Sequence, residues 1–563
     1  MINFDDILFF ALYYKAYLIP LVLVIGIASA WLLYKNKPHN LLLAAVISLF
    51  PYILVRYAGG GVTEYLFCLF VPSILVMCLV LYRLDRQKKP EKMNPPYNVP
   101  LHTTDGRTLY IADANRGIMV SGSTGSGKTA GPITAIMKHF ANMKFAGILH
   151  DYKEYELTEV AYPLFKEQGI NFQVFAPHDV NRSIRLNVVA PHLIDTEAKL
   201  NGIIKTLVLN LGQDESDSDA GKFFRDGEES LLSAVIWRLK KDYPEKCNLP
   251  FAIALLLSAQ NHHEKVTQPN GMILIKPYQK LIDFICQDHR AEILGSVFLT
   301  GISNERQTGS LYSTLAANLR QVATPELFYL LSGHDLDLDL NSDQNRTVLS
   351  FVNKPGYLEK TISPVNAMLM QSVLSSMSER GRKPSFAIID EAPMVKMIDL
   401  PSQIRTLRSF GMSFTYCLQD KVAGVAQFGG KEYKVKDILT NLSTQFMGKV
   451  NDPETAKHYE RYLEIIKEEQ VSKSYRSGNF LTSRDGGDSI TKSTRDKSKI
   501  QAFEFFKLTQ GEFIMFSDGR DKRFTFDYKQ PITELPPMRG SVTSIDLEDN
   551  YNRILDEARD FFN

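Results

Sequence analysis

Gly122-Ser-Thr-Gly-Ser-Gly-Lys128-Thr129 decides the fold. It fills every fixed position of G-x-x-x-x-G-K-[ST], the phosphate-cradling loop of P-loop NTPases. Just upstream, Thr108–Ala112 and the apolar run Gly117–Val120 read as short strands. Downstream, the spacing predicts a helix from about Lys128 to Phe140. Strand, loop and helix in that order are the context the motif requires. Gly122, Gly125 and Gly127 let backbone N–H groups wrap round phosphates without Cβ clashes, with Ser123, Thr124 and Ser126 between them. The helix points its positive dipole end at the same anions. Lys128 is expected to reach the β/γ phosphates, and the Thr129 hydroxyl to ligate Mg²⁺, so ATP and Mg²⁺ are the expected cofactors.

The partner of this loop is Ser385-Phe-Ala-Ile-Ile-Asp390-Glu391-Ala392. A continuous apolar run predicts a buried parallel strand, and two carboxylates close it. In P-loop enzymes the first acid holds the Mg²⁺ shell and the second polarises the attacking water. Asp390 is therefore the expected second metal residue, beside Thr129. Glu391 argues for hydrolysis rather than binding alone, and makes an ATP hydrolase the expected enzyme. A third strand, Ser413–Leu418, ends at Gln419, placed to sense the γ-phosphate or to cap the next helix. Between them an amphipathic helix, Leu400–Phe410, carries Arg405 and Arg408, each readable as a surface charge or as an arginine finger for a neighbouring subunit.

Other predicted core strands are Phe145–His150, Phe172–Ala176, Arg346–Phe351 and Thr444–Val450. The long interval between Lys128 and Asp390 holds helical periodicity at Glu197–Leu211, Lys222–Lys241, Leu249–Leu257, Gln279–Thr300 and Ser310–Leu331. The fold class expected is thus α/β: a RecA-like P-loop core with an inserted all-α subdomain.

Ahead of the core the composition changes. Residues 1–82 hold only seven charged side chains: Asp5, Asp6, Lys15, Lys35, Lys37, Arg56 and Glu64. Ala16–Tyr34 and Tyr65–Tyr82 are uncharged and long enough to cross a bilayer, with a shorter run, Leu41–Val55, between them. An α-helical transmembrane anchor of two or three helices is expected. Three spans place Lys35, Lys37 and the basic stretch Arg83–Lys92 on one side and Asp5/Asp6 on the other, as the positive-inside rule asks. Either count leaves the soluble body in the cytoplasm. The expected division is 1–82 anchor, 83–100 basic and proline-rich linker, 101–194 first part of the RecA-like NTPase domain, 195–338 all-α insert, 339–529 second part of the NTPase domain, and 530–563 acidic tail.

The 563 residues carry 64 Lys+Arg against 63 Asp+Glu, a net charge of +1. That excludes a uniformly basic nucleic-acid coat and an acidic disordered chain. The five cysteines form no CxxC or zinc-like spacing, which suits a reducing compartment. Val471–Lys499 is rich in Ser, Gly and Lys/Arg and predicts a loop. Its sharper reading is a DNA contact. The tail ends in a predicted amphipathic helix, Ile545–Phe562, read as a solvated terminus or as a docking element.

With these residues in place, the chain resembles the conjugative coupling proteins of type IV secretion systems, the TraG/TraD family. Three further segments carry the likeness: Asp151-Tyr-Lys153-Glu-Tyr-Glu-Leu157, Asn451-Asp-Pro-Glu-Thr-Ala456 and Leu508-Thr-Gln-Gly-Glu-Phe-Ile514. The first departs from the family's pattern at Tyr152 and at Glu154-Tyr155, which leaves Asp151 and Lys153 without an assigned role. The resemblance implies a homohexameric ATPase anchored in the bacterial inner membrane by several spans. It would couple a relaxase-bound single-stranded DNA to the inner-membrane components of the secretion channel and drive its transfer. It also implies that Arg408 is the arginine finger and Gln419 the γ-phosphate sensor. A coupling ATPase for protein effectors and an FtsK-type duplex translocase are the alternatives left open.

Overall fold

The computed structural model describes residues 95–562 apart from 213–218, 260–263, 268–272, 277, 303, 399, 428–430, 476–487 and 528–529. The chain divides into two units, Met1–Met93 and Asn94–Asn563. Ala16–Tyr34, Leu41–Val55 and Tyr65–Tyr82, the expected membrane spans, lie outside the described residues. Among the described residues no helix is long and apolar enough to cross a membrane.

The strands, in chain order, are β1 (Val99–His102), β2 (Thr108–Ile111), β3 (Ile118–Ser121), β4 (Ala146–Asp151) and β5 (Asn171–Phe175). Then come β6 (Glu264–Thr267), β7 (Ile273–Lys276), β8 (Thr347–Val352), β9 (Ser385–Ile389) and β10 (Met412–Leu418). The last are β11 (Thr444–Met447), β12 (Ile465–Tyr475), β13 (Asp488–Ser498), β14 (Glu512–Ser517) and β15 (Arg520–Thr525). Nine of them make one sheet in the order β15-β14-β11-β3-β10-β9-β4-β8-β5. From β11 to β5 all pairings are parallel, and only β14 runs the other way, pairing antiparallel with both β11 and β15. Strands β3, β4, β8, β9, β10 and β11 are buried at every residue, which explains why they read as unbroken apolar runs.

Alternate residues feed two apolar layers. Ile118 and Val120 join the layer built with helices Thr134–Asn142 and Thr158–Glu167. Met119 points into the layer built with helix Glu359–Met377 and the insert. On the first face Phe140, Phe145, Phe165 and Phe386 stack with centroids 4.8–5.4 Å apart. The sheet is thus covered on both faces, as a parallel sheet must be.

Four expectations are corrected. The helix predicted over Gln279–Thr300 is three: Gln279–Cys286, His289–Leu294 and Ser296–Gly301. Asp288 causes the first break by accepting from Arg290 N and Ala291 N as an N-cap. Ser310–Leu331 is likewise two helices, Glu305–Arg320 and Pro325–Ser332, because Thr324 caps the second and Pro325 starts it. Nor is the insert wholly α, since β6 and β7 form an antiparallel hairpin in it. Finally, Val471–Lys499 is not a loop in its described parts: β12 and β13 pair as an eleven-residue antiparallel ribbon. Ser and Thr are compatible with strands, but the short apolar content hid the alternation.

The tail is also bound rather than solvated. Met538 N and Arg539 N donate to Asn181 O, and Val542 N to Asn181 Oδ1. Thr543 and Asp546 form a capping box for helix Ser544–Asp560. Beyond its end the Phe561 ring packs on Tyr243, Phe251 and Phe284 of the insert at 4.8–5.6 Å.

Candidate nucleotide site

All but one of the expected site residues meet at the carboxyl ends of the parallel strands, where open α/β sheets bind ligands. In register, Leu418 lies opposite Ser121, and Tyr416 opposite Ile389. The P-loop after β3, Gln419 after β10 and Asp390-Glu391 after β9 therefore stand side by side. The glutamine-tipped strand lies between the other two.

The P-loop is shaped by its backbone and held from below. Gly125 and Gly127 have φ of 77° and 91°. A Cβ on Gly127 would lie 2.8 Å from Gly511 N, so only glycine fits there. Ser123 N donates to Lys449 O at 2.7 Å, and Gly511 N to Ser126 O at 2.9 Å. Thus the two residues that brace the loop come from far downstream. Gly511 belongs to the Leu508–Ile514 segment, whose role the sequence alone left unassigned. After the loop, Pro132 has no N–H to give Lys128 O, and Ile133 N takes that carbonyl instead at 3.2 Å. The result is a π turn, Thr129–Ile133, ahead of the α-helix Thr134–Asn142, where a continuous helix was expected.

The loop's chemistry fits a nucleotide's phosphates. Lys128 is 7% exposed and its Nζ donates to Gly122 O at 2.6 Å. Ser126 Oγ is buried without a hydrogen-bond partner.

The acids fit a cation. Asp390 is buried, and that burial, with the negative Asp151 and Glu391 nearby, pushes its carboxyl up to about 7, while Lys128 and Lys153 pull it down. A divalent ion would reverse that cost. Glu391 is 1% exposed, in the left-handed region with φ 47° and ψ 52°. A non-glycine residue held there is strained, a cost concentrated at functional sites. Gln419 Nε2 donates to Glu391 Oε2 at 3.1 Å.

Asp151 and Lys153 separate into two roles. Asp151 is fully buried, and its carboxylate accepts from Lys153 N, Leu157 N, Thr158 N and Thr158 Oγ1 at 2.6–3.1 Å. It holds the start of helix Thr158–Glu167, while burial pushes its carboxyl up against those four donors. Lys153 supplies positive charge near Asp390. Asp452 does similar work at helix Pro453–Glu460, accepting from Thr455 N and Thr455 Oγ1 at 2.6 Å. Tyr459 of that helix touches Ser121, the last residue of β3, through their hydroxyls. Sequence reading missed Lys449, Gly511 and Tyr459, and no residue pattern near the P-loop signals them.

Arg408 is the exception. It sits on an exposed 3₁₀ turn, Arg408–Phe410, just before β10 begins, whereas Gln419 follows its end. Seven residues of strand separate the two by about 20 Å. Arg408 cannot serve the site of its own chain. Arg405 pairs with Asp437 at 3.4 Å.

A parallel sheet with a P-loop strand, a glutamine-tipped strand and an acid-tipped strand in that order defines a RecA-like P-loop protein. The family described as type IV secretory system conjugative DNA transfer matches residues 85–521, and the chain belongs to it. It is a coupling protein of type IV conjugation, as the sequence resemblance implied. Among solved structures it is similar to the bacterial conjugative coupling protein TrwBdeltaN70 in its unbound monoclinic form. That match has a TM-score of 0.57 at 13% identity, covering 81% of this chain and 93% of that one. The plasmid coupling protein TrwB in complex with ADP and Mg²⁺ gives 0.56 at 12% identity, with the same coverage. TrwB with a non-hydrolysable ATP analogue, ADPNP, gives 0.53 at 11% identity over 75% of this chain and 88% of that one. At these identities the likeness is one of fold. No curated protein matches the chain.

Proposed function

We propose that this chain is the ATP-driven motor of its conjugation system, anchored in the inner membrane by its first 82 residues and working as a homohexamer. It takes single-stranded DNA with its relaxase and drives the strand into the secretion channel. The contact that carries the reading is the hydrogen bond between Gln419 and Glu391 beside an intact P-loop. A glutamate held in strained backbone against an amide is arranged for hydrolysis, and mere binding does not need it.

The parts divide the work. Residues 122–129 wrap the phosphates with backbone N–H groups, and Lys128 exchanges Gly122 O for phosphate oxygens. Thr129 and Asp390 would hold Mg²⁺, which neutralises charge on the phosphate oxygens when bound. Glu391 takes a proton from the attacking water. Gln419, bonded to Glu391 on one side, reads the γ-phosphate on the other. Arg408, distant from its own site, stabilises the charge developing at a neighbour's. Support for ATP and Mg²⁺ comes from the unpartnered Ser126 Oγ, the buried acids and the ligands carried by the similar TrwB structures. Residues 195–338 are the insert, 101–194 and 339–529 the two parts of the motor, and 530–563 a strap between them.

The test is steady-state ATP hydrolysis by the full-length protein in a membrane mimetic, with and without single-stranded DNA. Turnover should rise with DNA and vanish in Lys128→Ala. A turnover indifferent to DNA in the assembled sample would sink the transport reading, and stimulation by duplex alone would favour a duplex translocase.

A further inference from the structure

The segment that follows the N-terminal unit does more than connect it. The linker expected to run to residue 100 is already folded at Pro95: Pro95–Tyr97 is a 3₁₀ turn, and Val99–His102 pairs with Thr108–Ile111. Tyr97, Val99 and Leu101 are core residues. Pro96 O meets His139 Nε2 at 3.1 Å, and the Tyr97 ring stands edge-on to Phe145 at 5.5 Å.

From that fixed place the Tyr97 hydroxyl donates to Gly411 O at 2.7 Å. Gly411 closes the arginine turn. It has φ of 71°, and its N–H donates to Arg408 O at 3.1 Å. Gly411 O also accepts from Ser385 N, at the start of the strand that ends in Asp390 and Glu391. At its other end the same segment reaches the floor of the P-loop. Thr104 N donates to Thr525 O, and Asp527 N to His102 O. Phe526 N donates to Gly511 O, and Gly511 N to Ser126 O.

We propose that residues 95–104 are a strap that positions the arginine turn, with Tyr97 as the positioning residue that fixes where Arg408 stands at the neighbouring subunit's nucleotide. The strap is joined to its own subunit's P-loop indirectly, through Thr525–Asp527 and Gly511, and to the arginine turn directly, through Gly411. The inference rests on the reading of Arg408 as a finger acting between subunits. A tyrosine is needed because the turn's carbonyl is reached by a hydroxyl carried on a rigid, buried ring. Phenylalanine keeps the ring and removes only the donor.

The experiment is steady-state ATP turnover and equilibrium ATP binding of the full-length protein in a membrane mimetic, for wild type, Tyr97→Phe, Arg408→Ala and the double variant. Tyr97→Phe should lower kcat about fivefold, ~1 kcal/mol at the barrier, with KM and ATP affinity unchanged. It should add no further loss to Arg408→Ala, because both act on one contact. Gly411→Ala, which forces a Cβ to 3.0 Å from the Tyr97 hydroxyl in left-handed backbone, should show the same split between kcat and KM. Wild-type kcat in Tyr97→Phe alongside an inactive Arg408→Ala overturns the strap and leaves the finger standing. Loss of ATP affinity in step with kcat also overturns it. Full turnover in Arg408→Ala removes the finger reading, and the strap with it.

Discussion

Gln419 reaches from the tip of β10 to Glu391 at the tip of β9, with 3.1 Å between Nε2 and Oε2. The amide that would sense the phosphate is thus already tied to the carboxylate that would use the water. Glu391→Gln should leave ATP binding intact and lower turnover about 10²–10⁴-fold, since it removes the base but not the site. Gln419→Ala should cost about 10²-fold, as the loss of one oriented donor does. Hydrolysis rates beside equilibrium binding of ATP separate the two effects.

Gly127 and Gly106 both have positive φ, at 91° and 77°, but only Gly127 has backbone against it. Gly127→Ala should abolish ATP binding, because the P-loop must move off Gly511. Gly106→Ala meets nothing within 4 Å and should cost only about 1–2 kcal/mol of left-handed strain with ATP binding unchanged. Nucleotide titration and thermal melts of the two variants give the contrast.

Arg405 and Arg408 should behave differently although they share one short stretch. The Arg405–Asp437 pair is solvent-exposed, so Arg405→Ala should change stability by under about 1 kcal/mol and leave turnover near wild type. Arg408→Ala should lower turnover on the order of 10³-fold. Mixing Arg408→Ala with Lys128→Ala subunits should restore part of the activity, since intact sites then form between unlike neighbours. No recovery on mixing would count against action between subunits.

Glu228, in helix Asp219–Asp242 of the insert, should make the fold less stable in alkali. Burial pushes its carboxyl up to about 7, with Asn318 Nδ2 donating to both its oxygens at 3.1 Å and pulling the other way. The folded value exceeds the unfolded one, so the contribution is complete below about 4.5 and is lost as pH rises through about 7. Glu228→Gln, neutral throughout, should be more stable than wild type at pH 8 by on the order of 2–3 kcal/mol, with the gap closing at pH 5. Urea melts at the two values test it, and a gap that widens toward pH 5 would refute the assignment.

The sequence was most legible where chemistry and periodicity coincide. The P-loop, the acids after β9 and Gln419 are local motifs at the ends of buried strands, and each stands where its run of apolar residues ends. Boundaries failed where a single cap outweighed periodicity, as Asp288 and Thr324 show. The ribbon of β12 and β13 failed because Ser, Thr and charges alternate without an apolar face. The braces under the P-loop, Lys449 O and Gly511 N, were out of reach for a different reason. They act through backbone groups, which every residue has, so no side chain announces them. Arg408 and Arg405 read alike from the residues themselves, and only the family resemblance singled out Arg408; what sequence did not give is that Arg405 pairs with Asp437 while Arg408 sits on the turn before β10.

Strand β10 carries Gln419 at one end and the arginine turn at the other, and it is buried along its whole length between β3 and β9. A packed strand does not stretch. In the proposed ring, with Arg408 acting at a neighbour's site, each β10 would be a connecting rod of fixed length between successive firing chambers. A movement of the γ-phosphate in one chamber would then arrive at the next as a displacement of its arginine, and the order of firing would be written into the length of a single strand.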